Sequence, residues 1–266
     1  RTSANFIAPF LMKFPPSEPG GGFGKMSAVS EGISLEIGLE LYIPASFQLN
    51  GFFDRFNTLW WLTALMRLRG AHRAQLPVVS DRPFSEIAEN WQKAKALPVE
   101  VFPRRLPTAE NLEELSLSDL QWLKEVWLTG GKLMGNRAAF NDAFQALDGA
   151  GGMPTKAVAT LAIWGAFEHL FSPGKQELRF RVSANIATFL EDAGNERLKL
   201  QKKIMKLYDV RSSVAHTVKN PSSEEWVETL SLAHRILNKI LITNHVPSKE
   251  DLELALFAPS TASPAQ

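Results

Sequence analysis

Between Ser118 and Thr243 the chain reads as a succession of amphipathic segments separated by glycine or proline breaks, with no strong strand signal among them. Apolar residues recurring at three- and four-residue spacing predict helices over Ser118–Leu128, Leu133–Leu147, Thr155–Phe171, Lys175–Asp192, Glu196–Ala215 and Ser223–Thr243. The separators are Gly130-Gly131, Gly149-Ala-Gly-Gly152, Ser172-Pro-Gly174 and Asn220-Pro221. Each such helix must bury one face, and with short connections the only economical solution is helix against helix. The expected fold class is therefore mainly α, a C-terminal helical bundle over residues 115–245.

The N-terminal part reads differently. Ile33, Leu35, Ile37, Leu39, Leu41 and Ile43 alternate with Ser34, Glu36, Gly38, Glu40 and Tyr42, the period of a half-buried strand. Phe52–Leu68 reads as an aromatic-rich helix, with short strand-like pieces around Pro77–Ser80 and Val99–Phe102. Residues 1–108 are thus expected to form a small α+β domain. It ends at Pro103-Arg-Arg-Leu-Pro107 and the acidic Glu110–Glu114. Residues 246–266 form a C-terminal tail whose Pro/Ser/Ala-rich end, Ala258–Gln266, reads as disordered.

Within the bundle, two charged residues lie on apolar stripes. Arg211 continues the row of Leu200, Ile204, Leu207 and Val214, and Glu168 shares a stripe with Leu161, Trp164 and Phe171. Burying a lone charge costs several kcal/mol, so an inward Arg and an inward Glu in one bundle are expected to find each other or a polar cleft. Five residues beyond Arg211 lies His216, in Arg211-Ser-Ser-Val-Ala-His216. A guanidinium can hold the charge that builds on a phosphate under attack, and an imidazole titrates near neutral pH and can move the proton. On a straight helix the two side chains point roughly 140° apart, so they need an unwound last turn or a second chain to meet. Asn220-Pro221 and the Ser222-Ser-Glu-Glu225 capping box place His216 near the exit of its helix.

Three blocks carry a family resemblance: Trp164-Gly-Ala-Phe-Glu168-His-Leu-Phe171, Arg181-Val-Ser-Ala-Asn-Ile-Ala187 and Leu207-Tyr-Asp-Val-Arg211-Ser-Ser-Val-Ala-His216. In motif, order and spacing they resemble the Apea-like branch of the HEPN superfamily, over roughly Leu115 to Asn244. The resemblance implies a helical bundle whose Arg-x4-His motif forms a metal-independent ribonuclease site at a homodimer interface. Arg211 and His216 would be the active pair and Glu168 a supporting polar residue. Family members often have Gly after the His, where this chain has Thr217. The activity implied is endonucleolytic RNA cleavage giving a 2′,3′-cyclic phosphate, in antiphage defence or as a toxin. A regulatory or antitoxin partner would accompany it, and the N-terminal domain would sense a trigger. The alternative from a different class is a non-catalytic helical dimer that binds RNA, nucleotide or a protein partner.

Charge is consistent with an RNA partner. The net charge is +1, but residues 153–245 hold 13 Lys+Arg against 9 Asp+Glu. Arg197, Lys199, Lys202, Lys203 and Lys206 cluster on the helix leading to the motif, where Lys202, Lys203 and Lys206 are candidate phosphate contacts. Ser212 and Ser213 offer hydroxyls to phosphate, and Tyr208 offers a ring on which a base could stack.

Other chemistries find less support. Gly20-Gly-Gly-Phe-Gly-Lys25 has Pro19 and Met26 at the two defining positions of a phosphate loop, and reads as a linker. The five histidines show no metal-ligand spacing, and the absence of cysteine removes disulfides, thiol nucleophiles and Cys-ligated zinc. No metal or other cofactor is expected. The most apolar stretch, Phe52–Leu68, contains Asp54, Arg55 and Arg67, so no membrane span is expected. A cytoplasmic location fits, and Arg1-Thr-Ser-Ala-Asn5, without initiator Met or signal pattern, reads as a trimmed end.

Overall fold

The computed structural model describes residues 2–13, 27–37, 39–49, 51–70, 74–90, 93–100, 104, 116–172, 174, 176–217 and 220–257. The glycine-rich segment 20–25, the proposed boundary segment 105–114 and the tail 258–266 lie outside them. The chain divides into two compact units, one of Arg1–Ala45 with Pro77–Val99, the other of Ser46–Leu76 with Glu100–Gln266.

The first unit contains two antiparallel pairs. Strand β1 (Thr2–Lys13) pairs with β2 (Ser27–Ile37) from Thr2↔Ile37 to Lys13↔Ser27, with an irregularity between Ala8 and Leu11. Pro9 sits in that irregularity, where a missing N–H does no harm. The alternating pattern predicts a strand over Ile33–Ile43, but pairing stops at Ile37, which is already opposite the first residue of β1. Residues 39–43 continue the alternation with no strand opposite, so pattern alone does not make them a strand. Strands β3 (Val78–Ser80) and β4 (Ala96–Pro98) form the second pair and flank helix α2 (Phe84–Asn90).

The second unit is helical throughout its described elements. It begins with α1 (Arg55–Arg69), whose N-cap Asp54 accepts the Asn57 N–H at 2.7 Å. Sequence reading groups this helix with the strands, yet it belongs to the bundle. Its fully buried Trp61 packs on Phe144 with ring centroids 4.6 Å apart and donates to the Trp127 carbonyl at 2.8 Å. Helices α3 (Leu117–Asn136) and α4 (Ala138–Ala150) supply the wall it needs.

Helix α3 also runs straight through Gly130-Gly131, where a break is expected. A Cβ on Gly130 would lie 2.6 Å from Leu241 Cδ2 and 2.9 Å from Trp61 Cζ2. The glycine is there for close packing rather than for turning.

Helix α5 (Lys156–Phe171) is the centre of the bundle and packs against α4, α6 (Leu178–Leu190), α7 (Asn195–Thr217) and α8 (Ser223–Thr243). Its Ile163, Trp164, Phe167 and Phe171 are buried, as are Ile204 of α7 and Ile236, Leu237 and Ile240 of α8. Caps fix its start and that of α8: Thr155 accepts from Val158, and Ser222 with Glu225 forms the expected capping box. One helix lies where only a tail is expected. In α9 (Lys249–Phe257), Ser248 and Asp251 exchange capping bonds and only Leu252 is buried, against a background of exposed Leu254 and Phe257.

A charge network lies inside this unit. Arg67 of α1, only 4% exposed, bonds Asp148 of α4 at 3.0 Å and Glu100 at 2.5 Å, and its Nε donates to the Ala74 carbonyl. Arg104 donates to the Asp148 carbonyl, and the Trp60 indole donates to the same carboxylate.

Candidate functional site

Every third or fourth residue of α7 faces the core, and Arg211 is among them. Its Nη2 lies 3.0 Å from Glu168 Oε1 and 3.2 Å from Oε2. Tyr208, one turn earlier, donates its hydroxyl to Glu168 Oε1 at 2.8 Å. The Tyr208 ring is edge-on to Trp164 with centroids 5.4 Å apart, and the Arg211 guanidinium carbon lies 5.5 Å from the ring centroid. Glu168 is thus gripped by two groups from α7 and orients the arginine. The Arg211 and Glu168 side chains remain 25% and 20% exposed, so the cluster opens to solvent on one side.

This geometry changes the reading of Tyr208. It is 7% exposed, with Trp164 and Arg211 against its ring, and so holds Glu168 rather than offering a face to a base. Burial, and then the bond to the Glu168 carboxylate, push its hydroxyl up to about 12. The phenol therefore remains a donor throughout the neutral range. A pKa raised on folding contributes stability that is complete below the unfolded value near 10 and is lost as pH rises through the folded value. Wild type should lose more stability than Tyr208→Phe between about pH 10 and 12, as followed by thermal melts at stepped pH; parallel losses would contradict the assignment.

His216 is exposed in the last turn of α7. That helix stays regular through Thr217, whose Oγ1 donates to the Ser213 carbonyl at 2.6 Å. Of the two ways in which Arg211 and His216 could meet, the unwound last turn is therefore not the one adopted. At 100° per residue the two side chains leave the axis about 140° apart, Arg211 toward α5 and His216 away from the bundle.

The remaining candidates are dispersed. Ser213 is exposed and Ser212 half-buried. Lys203 turns to Glu228 of α8 at 2.7 Å, Lys199 to Glu196 at 2.6 Å, and Arg197 to the Glu191 carbonyl at 3.0 Å. Lys202 and Lys206 are exposed on the outer face. Sequence reading missed Arg179 of α6, which clamps Asp209 with two bonds of 2.6 Å that raise its already high pKa. It also missed the pairing of the exposed His169 with Asp142, at 2.9 Å. Both pairs join residues of different helices, so no local spacing announces them.

Among the described residues, no three His, Cys, Asp or Glu side chains are grouped as metal ligands would be, and no helix is long and apolar enough to cross a membrane. What the cluster offers chemically is an oriented guanidinium beside solvent, with an exposed imidazole on the opposite face of the same helix. No protein family, curated protein or solved structure matches this chain.

Proposed function

We infer that the protein is a metal-independent endoribonuclease of the HEPN type that acts as a homodimer. The observation that carries this reading is the opposed placement of Arg211 and His216 on an unbroken α7, with Arg211 already held by Glu168. Such an arrangement leaves each chain incomplete and is resolved when a second copy brings its His216 to the first chain's Arg211.

In the reaction, His216 of one chain accepts the proton of an RNA 2′-hydroxyl as its oxygen attacks the adjacent phosphorus. Arg211 holds the non-bridging oxygens as negative charge builds on them. The bond from phosphorus to the 5′-oxygen then breaks, and that oxygen takes the proton back from the imidazolium so formed. The products are a 2′,3′-cyclic phosphate and a free 5′-hydroxyl. Glu168, fixed by Tyr208, positions the arginine and takes no proton.

A role in bacterial antiphage defence or as a toxin follows from the resemblance of the three sequence blocks. A cytoplasmic setting and regulation through the N-terminal unit or a protein partner belong to the same reading. The test is cleavage of a mixed RNA pool in EDTA with end-group analysis. Cutting that resists EDTA and leaves cyclic-phosphate and 5′-hydroxyl ends supports the proposal; abolition by EDTA, or 5′-phosphate ends, overturns it.

A further inference from the structure

The outward face of α7 has an order that its lysine content alone does not show. At 100° per residue, Lys202, Lys206, Asp209, Ser213 and His216 fall within about 80° of arc, in one line along the helix. The other cations of this helix are occupied elsewhere: Lys203 on Glu228, Lys199 on Glu196, Arg197 on a backbone carbonyl and Arg211 on Glu168. The single carboxylate on the line, Asp209, is capped by both arms of Arg179 from α6. Arg179 and Asp209 remain about half exposed, at 48% and 53%, so the pair is part of the surface. Read from its start, the line runs cation, cation, neutralised acid, hydroxyl, imidazole.

We propose that this face is the path of a single RNA strand, with Lys202 and Lys206 on phosphates to one side of the scissile one and Arg179 as the residue that keeps Asp209 from repelling it. The proposal rests on the ribonuclease reading, since His216 marks where the path ends. From Lys202 to His216 the helix rises about 21 Å, at about 1.5 Å per residue. That length spans roughly six nucleotides at a stacked rise of about 3.4 Å, and fewer when the strand is drawn out. A single strand is the fitting occupant for two reasons. One straight row of contacts follows one backbone. In-line attack also needs the 2′-oxygen opposite the departing 5′-oxygen, which an A-form duplex does not present and a flexible strand does.

The experiment uses the 266-residue chain carrying His216→Ala, so that the RNA is not consumed, and a fluorescein-labelled single-stranded RNA longer than the stripe. Binding is read by anisotropy across a salt titration. Adding Lys202→Gln and Lys206→Gln should flatten the dependence of log Kd on log salt by about 1.4, from about 0.7 per lost contact on a single strand. Arg179→Ala should weaken binding, and Asp209→Asn in that background should restore it. A duplex of the same sequence should bind more weakly and respond less to these changes. An unchanged slope, failure of Asp209→Asn to rescue, a duplex bound as well as the strand, or no RNA binding at all would overturn the path. The ribonuclease reading is judged separately, by the products and metal dependence of cutting, and neither result decides the other.

Discussion

Arg211→Ala is expected to lower the rate of RNA cleavage by about 10²–10³-fold, the usual loss when one preorganised donor to a developing oxyanion is removed. Its effect on stability should be small. The Arg211–Glu168 pair is partly exposed, and Glu168 keeps both its bond from Tyr208 and access to water after the arginine is gone. For such a pair a loss of about 1 kcal/mol is the ordinary measure. Single-turnover cleavage and urea unfolding on the same preparation separate the two effects. A non-catalytic dimer with a structural ion pair predicts the reverse: a protein that unfolds far more easily and whose RNA cleavage, if any, is unaltered by the change. Arg211→Lys sharpens the comparison, because it keeps the charge and loses the planar fork that fits phosphate.

The largest effect on stability should come from Arg67→Ala, at about 3–5 kcal/mol, the cost of leaving buried charges without their partner. Arg67 is 4% exposed and binds Asp148, itself 9% exposed, together with Glu100. Arg104 remains beside Asp148, but its Nη2 lies 3.5 Å from the carboxylate where Arg67 reaches 3.0 Å, so it does not take over the role. Replacing Arg67 by Met together with Asp148 by Leu should cost less than the sum of the single changes, because the pair is then removed as a unit. Urea unfolding with a double-mutant cycle measures both quantities. A loss below about 1 kcal/mol for Arg67→Ala would show that the network contributes little.

Much of the bundle is legible because its signals are local. Thr155, Ser222 and Glu225 announce helix starts by their position ahead of apolar rows, and α5 and α8 begin where they say. Glu168 and Arg211 are legible for another reason: each is a charge on an apolar stripe, and two such charges in one core have few places to go. What stays hidden depends on partners far away in sequence. Gly130 looks like a break until Trp61 and Leu241 are seen pressing on it. Arg67 looks like an interruption in an apolar run until Glu100 and Asp148 arrive from 33 and 81 residues downstream. Helix α1 carries an aromatic face that could serve either unit, and only its packing on Phe144 and Trp127 assigns it. Helix α9 buries a single leucine, too little for periodicity to register.

The central claim is that one active site draws on two chains, and mixing two inactive variants tests it directly. His216→Ala and Arg211→Ala proteins are unfolded together, refolded as a 1:1 mixture to exchange subunits, and assayed for RNA cleavage. If the site is shared, mixed dimers bring one Arg211 and one His216 together, and activity should rise well above either parent, to at most roughly a quarter of wild type because only half the dimers are mixed. Activity no greater than the average of the two parents, in a mixture verified to contain mixed dimers, would contradict the claim.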